Sequence, residues 1–523
     1  MPSIAASPPI ADAAPARGRS DYSFSAKVVV AGALIALGDV FFGGWEGGSS
    51  LGVYALLLLV ALAATRPALL RSRSALAAGG AAAAFAVALA DDPSLLAAAL
   101  FWVAATLAAL LPRSRFDNGW RWAIRLLCSL VLAAAQPVHD WTLLRRVRRR
   151  GGSGSFLTRL PILILPMVGS LVFVLLFANA NPLIGNAFGS IDAGELFGAF
   201  SPLRLALWLL LGFLVWSLLR PAASLLAPGH TGDGAIELPG VTLASVTLSL
   251  VAFNLIFAVQ NGLDIAFLWS GAPLPDNLTL AEYAHRGAYP LIATALLAAL
   301  FVIVTLRPGS AMAASALLRR LVYLWIAQNV LLVASTVLRT LDYVEAYSLT
   351  RLRIAALGWM VLVAIGLLLI CYRLWQRRSD AWLINANLAA AALLLAACTF
   401  VDLGAVAAAW NVRHTREVGG PGAALDLCYL NTLGASSLPA LVELESRPIG
   451  PGLRDRAAWI RNLQMDRLEA QQAEWRTWTF RGARRLAGAK ARVAERRLPR
   501  FPAHGRGCDA LAPAPALTAP RGE

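Results

Sequence analysis

Apolar runs close to the roughly 20 residues needed to cross about 30 Å of hydrocarbon recur along most of this chain, and they exclude a single water-excluded core. The candidate spans are 28–45, 50–65, 75–90, 94–112, 161–180, 203–219, 241–260, 289–306, 320–339, 354–372 and 382–401. A further apolar stretch at 122–137 is short and carries Arg125, which suits an interfacial or re-entrant helix better than a free crossing. With 58% hydrophobic residues over 523 positions and a mean hydropathy of +0.63, the composition is too apolar for a soluble globule. The expected fold class is all-α: a polytopic transmembrane helical bundle of about 11 spans, with 10 to 12 possible, and a C-terminal helical extramembrane tail. Along the chain this gives a basic, disordered tail over 1–27, N-terminal membrane helices over 28–112, and a basic cytoplasmic loop over 113–160. A membrane core over 161–401, short extramembrane helices over 402–446 and a basic amphipathic end over 447–523 complete it.

The net charge of +16 reports loop topology before it reports nucleic acid, because no compact basic domain with interleaved base-stacking aromatics is present. The segment LLRRVRRRGGSGSFLTR carries six arginines. The loops with Arg307, Arg319 and Arg320, and with Arg373, Arg377 and Arg378, fall on the same side when crossings are alternated. Short-loop Lys/Arg bias makes that side cytoplasmic and the C-terminal tail extracytoplasmic. Arg351 and Arg353 sit on the opposite side against that trend. Between Arg447 and Arg500 there are 14 Lys+Arg and 5 Asp+Glu, a balance of 14 − 5 = +9. Trp459, Ile460, Leu463, Leu468, Trp475 and Trp478 are spaced there as one apolar face. Such a helix either lies on anionic lipid headgroups or packs on a neighbour. If the tail faces an oxidising compartment, Cys428 and Cys508 can pair; no CxxC is present.

Polar residues gather in three places. RTLDYVEAYSLTRLR (339–353) puts Arg339, Tyr343, Tyr347 and Arg351 four apart in one row, Arg339 three from Asp342, and Asp342 three from Glu345. Two such carboxylates share a cation or raise one another's pKa. The chain must reverse near 348–350, because one helix over 320–372 would be about 80 Å long. Ser348 or Thr350 then caps the next helix. AEYAHRGAYP (281–290) brings Glu282, Tyr283, His285 and Arg286 to the same side, with Glu282 and Arg286 spaced as an i,i+4 pair. Within the spans, Asn254, Gln260, Asn261, Asp264, Gln328, Asn329, Asn385 and Asn387 are costly toward lipid. They serve either as interhelical hydrogen-bonding glue or as the lining of a polar cavity. Past the spans, LDLCYLNTLGASSLPALVELES (425–446) reads as two short helices, with Gly434 as a C-cap, Ser436 or Ser437 as an N-cap and Pro439 in the second helix's first turn.

No GxxxxGK[ST], HExxH, Gly-x-Ser-x-Gly or Rossmann fingerprint occurs, so common soluble catalytic domains are excluded. No cofactor or metal centre is expected, the five histidines being isolated in sequence. The Tyr343-x-x-x-Tyr347-x-Leu349-Thr350-Arg351 string, Ala281-Glu282-Tyr283 with Gly287, and LDLCYLNTLGASSLPAL resemble the bacterial membrane family catalogued as domain of unknown function 4173 and its relative 4153, over roughly 160–445. A Gly often precedes the Leu-Thr pair in that family; here Ser348 stands there, which makes a turn of positive φ less expected. The resemblance implies a polytopic bacterial inner-membrane protein and supplies no mechanism. The functional expectation is a non-enzymatic, envelope-associated or transport-related component with a polar extracytoplasmic face. The alternative is a membrane-embedded transferase or hydrolase for a lipid-linked or anionic substrate, using Glu282 or Asp342 as acid/base and Arg286, Arg339 and Arg351 as a clamp.

Overall fold

A computed structural model describes residues 24–44, 47–133, 202–221, 242–270, 315–499 and 506–511, with a few isolated positions between 135 and 301. Among them there is no strand. The membrane-type helices are α1 (Phe24–Phe42), α2 (Ser50–Thr65), α3 (Arg73–Asp91), α4 (Leu95–Leu110), α5 (Gly119–Ala133), α6 (Pro202–Leu219), α7 (Leu243–Asp264), α8 (Ala316–Tyr347), α9 (Arg351–Gln376) and α10 (Asp380–Phe400). Seven are long and apolar enough to cross a bilayer: α1, α3, α6, α7 with its extension, α8, α9 and α10. Helices α2 and α4 coincide with expected spans but hold 16 residues each. The expected spans 161–180 and 289–306 lie, apart from positions 170, 297 and 301, outside the described residues. Helix α5 is an amphipathic 15-residue segment, about 22 Å long, with Trp122 buried against its neighbours. It matches the short helix expected near 122–137.

Small residues let the N-terminal helices approach closely. A Cβ on Gly52 would stand 2.3 Å from the Ala90 nitrogen and 2.5 Å from the Ala86 oxygen, so α2 and α3 meet backbone to backbone. Ala75, Ala82, Ala86, Ala97, Ala105 and Ala108 are fully buried in the same cluster. Ser72 and Ser94 cap α3 and α4, accepting from the Ala75 and Ala97 amides.

The C-terminal helices are α11 (Leu403–His414), α12 (Leu427–Thr432), α13 (Leu438–Glu445), α14 (Pro451–Ala473) and α15 (Phe480–Glu495). They have a core of their own, including Leu430, Leu441, Leu444, Ala457, Trp459 and Ile460. Gly434, at φ +62°, ends α12 as expected, and Pro439 lies in the first turn of α13. Ser437 precedes α13 without a side-chain capping bond. Cys428 and Cys508 form a disulfide with a Cα–Cα distance of 4.8 Å. The structure divides the single amphipathic helix expected after residue 447 into two, broken at 474–479. Trp459, Ile460 and Leu468 are buried within the C-terminal unit, whereas Trp475 is exposed. The apolar face is thus used largely inside the protein.

Hydrogen bonds show which helix ends share a side. The Ser49 amide donates to the Trp478 carbonyl (2.7 Å) and Arg476 to the Val40 carbonyl (3.2 Å). Arg481 bonds Asp91 (2.8 Å) and Asp92 (3.0 Å), and donates to the Phe400 carbonyl (3.2 Å). The C-terminal unit therefore covers the α1–α2 and α3–α4 turns and the end of α10. At the opposite ends, Asn385 accepts from the Gly119 amide (2.6 Å) and donates to the Asp117 carbonyl (3.2 Å), joining the start of α10 to the α4–α5 loop.

Candidate functional site

Helices α7 and α8 run parallel, and their polar residues meet at matching levels. Asn254 donates to the Leu321 carbonyl (3.1 Å), Asn261 to the Gln328 carbonyl (3.2 Å), and the Trp269 indole to Ser335 (3.0 Å). Gln328 in turn donates to Asn254 (2.8 Å). Asp264 and Arg339 close this seam with an ion pair whose side chains are 1% and 5% exposed. Gln260 donates to the same carboxylate (3.0 Å). Lipid cannot satisfy these groups, so the sequence places them on the mutual face of two helices, where they are worth most.

Directly after Asp264 the helix widens into a π turn, Ile265–Trp269. Such a turn interrupts the regular hydrogen-bond ladder and often marks a functional site. Along α8, Gln328 lies about 12 Å from Arg320 and about 21 Å from Asp342 at 1.5 Å per residue. The seam therefore crosses the middle of the apolar stretch. Four acceptor oxygens there are buried without a hydrogen-bond partner among the described residues: Asn261 Oδ1, Asp264 Oδ2, Gln328 Oε1 and Asn329 Oδ1.

The pairing expected between Arg339 and Asp342 is not formed. Arg339 is buried against Asp264, because the longer reach across the helix pair neutralises a charge that would otherwise face lipid, while Asp342 stays exposed. Asn385 and Asn387 do not join the seam: Asn385 tethers the α4–α5 loop, and Asn387 donates to the Leu383 carbonyl of its own helix (2.9 Å). Glu282, Tyr283, His285 and Arg286 lie outside the described residues. Among the described residues no three acids, cysteines or histidines are grouped to hold a metal.

At the α8–α9 reversal, the Tyr343 and Tyr347 rings lie against one another at a tilt of 38°, with centroids 4.8 Å apart. Arg353, rather than Arg351, lies over the Tyr343 ring at 4.3 Å. Arg351 instead starts α9, its amide donating to the Tyr429 hydroxyl (2.9 Å). Thr350 caps α9, as expected. Asn411 brackets the turn, accepting from the Leu349 amide (2.6 Å) and donating to its carbonyl (2.9 Å). The Ala423 amide donates to the Glu345 carbonyl (3.0 Å). The polar stretch 339–353 is thus divided between the interior seam and the dock of the C-terminal unit.

Ser348 adopts φ +69° and ψ 162°, a conformation that costs an L-residue on the order of 1–3 kcal/mol and a glycine little. The turn of positive φ is present despite the serine. Ser348→Gly should raise stability by about 1 kcal/mol in detergent unfolding, after the glycine's greater unfolded-state entropy is subtracted. Unchanged or lowered stability would contradict this account of the turn.

A family model described as a domain of unknown function, DUF4153, matches residues 74–444. It reaches well ahead of the boundary near 160 expected from the motifs, and takes in α3 to α5 as well as the seam and the dock. No curated protein and no solved structure matches the chain. The match covers more than half of an all-helical chain with several membrane-length helices, and this membrane protein belongs to the DUF4153 family.

Proposed function

We propose that the protein is a non-enzymatic, transport-related component of a bacterial inner membrane, with its C-terminal helical unit on the extracytoplasmic side. The buried Asp264–Arg339 pair carries this reading. Ionisable residues in the middle of a membrane bundle are expensive, and a solute or ion pathway is their usual reason. Their place beside an interrupted helix fits the way transporters build sites near the bilayer midplane. The enzymatic alternative loses one arm of its clamp, since Arg339 is engaged by Asp264.

The test is flux. Proteoliposomes holding a pH-sensitive dye are challenged with Na+, K+ and pH gradients, and the wild-type protein should give a response that Asp264→Asn lacks. Equal leak in both would defeat the transport reading.

Two observations support the orientation. The sides reached by hydrogen bonding put Arg71, Arg73, Arg113, Arg115, Arg373, Arg377 and Arg378 opposite the C-terminal unit, where the positive-inside bias expects the cytoplasm. The Cys428–Cys508 disulfide suits an oxidising compartment. In a background where Cys128, Cys371 and Cys398 are replaced, Ala470→Cys should react with a membrane-impermeant maleimide in intact spheroplasts. Arg378→Cys should react only after lysis. The reverse pattern would invert the topology.

A further inference from the structure

We infer that α15 and the turn before it form a surface for anionic phospholipid headgroups, on the leaflet that meets the C-terminal unit. Arg481 bonds Asp91, Asp92 and the Phe400 carbonyl, and Arg485 pairs with Asp402. Asp91 and Phe400 are the last residues of α3 and α10, so these contacts lie at the level where the hydrocarbon stops. They come from successive turns of one helix. Helix α15 therefore meets the membrane helices with its side rather than its tip, and its axis runs along the bilayer surface.

Residues seven apart share one face of a helix. Gly488 and Arg492 stand seven after Arg481 and Arg485, so the face that grips the helix ends continues through them. Leu486, Ala489 and Val493 belong to a different face, packed on Leu438, Met465 and Leu468 of the C-terminal unit. Gly488 and Arg492 are exposed, and a Cβ on Gly488 would meet nothing within 4 Å. Past Arg485 the membrane-facing side of α15 thus overhangs lipid instead of protein. The preceding turn adds aromatic anchors. Trp475 and Phe480 are each 52% exposed, and Trp475 sits edge-on to Phe41 of α1 at 6.2 Å, with the Arg476 guanidinium 5.0 Å from its centre. Exposed rings at the end of a span belong to the interfacial belt. Charge then selects the lipid. Positions 480–497 hold seven Lys+Arg and a single acid, Glu495. Asp91, Asp92 and Asp402 take Arg481, Arg484 and Arg485, and Glu469 takes Lys490 (3.1 Å). Arg492 pairs with no carboxylate among the described residues, and a lipid phosphate supplies the anion it lacks. A zwitterionic headgroup brings its own cation beside the phosphate, so an anionic lipid is preferred.

The experiment places a fluorophore on Gly488→Cys in the full-length protein, with Cys128, Cys371 and Cys398 replaced and the Cys428–Cys508 disulfide kept. The protein is reconstituted in phosphatidylcholine vesicles that contain the same small fraction of a nitroxide-labelled lipid, either phosphatidylglycerol or phosphatidylcholine, with the nitroxide near the head of an acyl chain. Both should quench the fluorophore, and the phosphatidylglycerol quencher should do so about threefold more strongly at low salt. Arg492→Gln removes no ion pair within the protein, so it should fold, and it should bring the two quenchers level. No quenching at position 488 would overturn the surface, whether water or a second copy of the chain covers that face. Equal quenching by the two lipids with Arg492 in place, or a preference that survives Arg492→Gln, would overturn the recognition of anionic headgroups.

Discussion

Asp264→Leu should lower the stability of the detergent-solubilised protein by about 3 kcal/mol, because it removes the buried carboxylate that the buried Arg339 guanidinium is paired with. The double variant Asp264→Leu with Arg339→Met should recover to within about 1 kcal/mol of wild type, since a well-packed apolar pair of similar volume is often as stable as a buried ion pair. Both are read from reversible unfolding in mixed micelles. If the double variant is as unstable as the single, the two side chains do not act as a pair. The recovered double variant also separates structure from transport: it should fold, insert and give no dye response.

Arg461→Met should be comparably severe in the C-terminal unit, at about 3–5 kcal/mol. Arg461 and Glu445 are both fully buried, joined by Nε to Oε1 at 2.6 Å and Nη2 to Oε2 at 3.2 Å. Arg461 also bonds the Pro499 carbonyl (2.8 Å), holding the chain after α15 against α14. Burial pushes the Glu445 carboxyl above its ordinary range, against the pull of Arg461. A raised carboxylate favours the folded state when protonated, so its contribution is full below the unfolded pKa and is lost as pH rises through the folded one. Without Arg461 the burial effect is opposed only by the weaker pull of Arg454. The loss in Arg461→Met should therefore shrink as pH falls from 7 toward 5, measured as the unfolding midpoint of the full chain. A penalty independent of pH would show that Glu445 is not the group left stranded. Glu443, two residues earlier and half-buried on another face of the helix, behaves oppositely: its bond to Arg413 holds it below the usual range, so its contribution is lost as pH falls.

The membrane helices were legible because hydrocarbon imposes a length and a composition on any segment that crosses it. Runs of apolar residues located α1 to α4 and α6 to α10 to within about four residues, save that α8 continues to Tyr347 past the expected end at 339, and short-range rules found Thr350 as a cap and Gly434 as a C-terminal stop. The polar residues were legible as residues. Asp264 and Arg339 both stood out, but each was placed in a different group, because they are separated by 75 positions and no local spacing links them. The basic tail left two readings open for a related reason. Its tryptophans and leucines suit an anionic leaflet or a neighbouring helix equally, and only the structure shows Trp459, Ile460 and Leu468 buried inside the protein.

What the sequence determined alone was the solvent each segment needs: lipid for the long apolar helices, water for the charged C-terminal unit, and a partner for every amide and charge between them. Only the tertiary structure decided which partner. It is the parallel packing of α7 on α8 that takes Arg339 from a surface hairpin to Asp264, and the docking of α11 and α12 that makes 348–351 a seat for the C-terminal unit. Hydrophobic burial depends on composition and is written residue by residue, whereas an ion pair or an amide bracket depends on two distant positions arriving at one place.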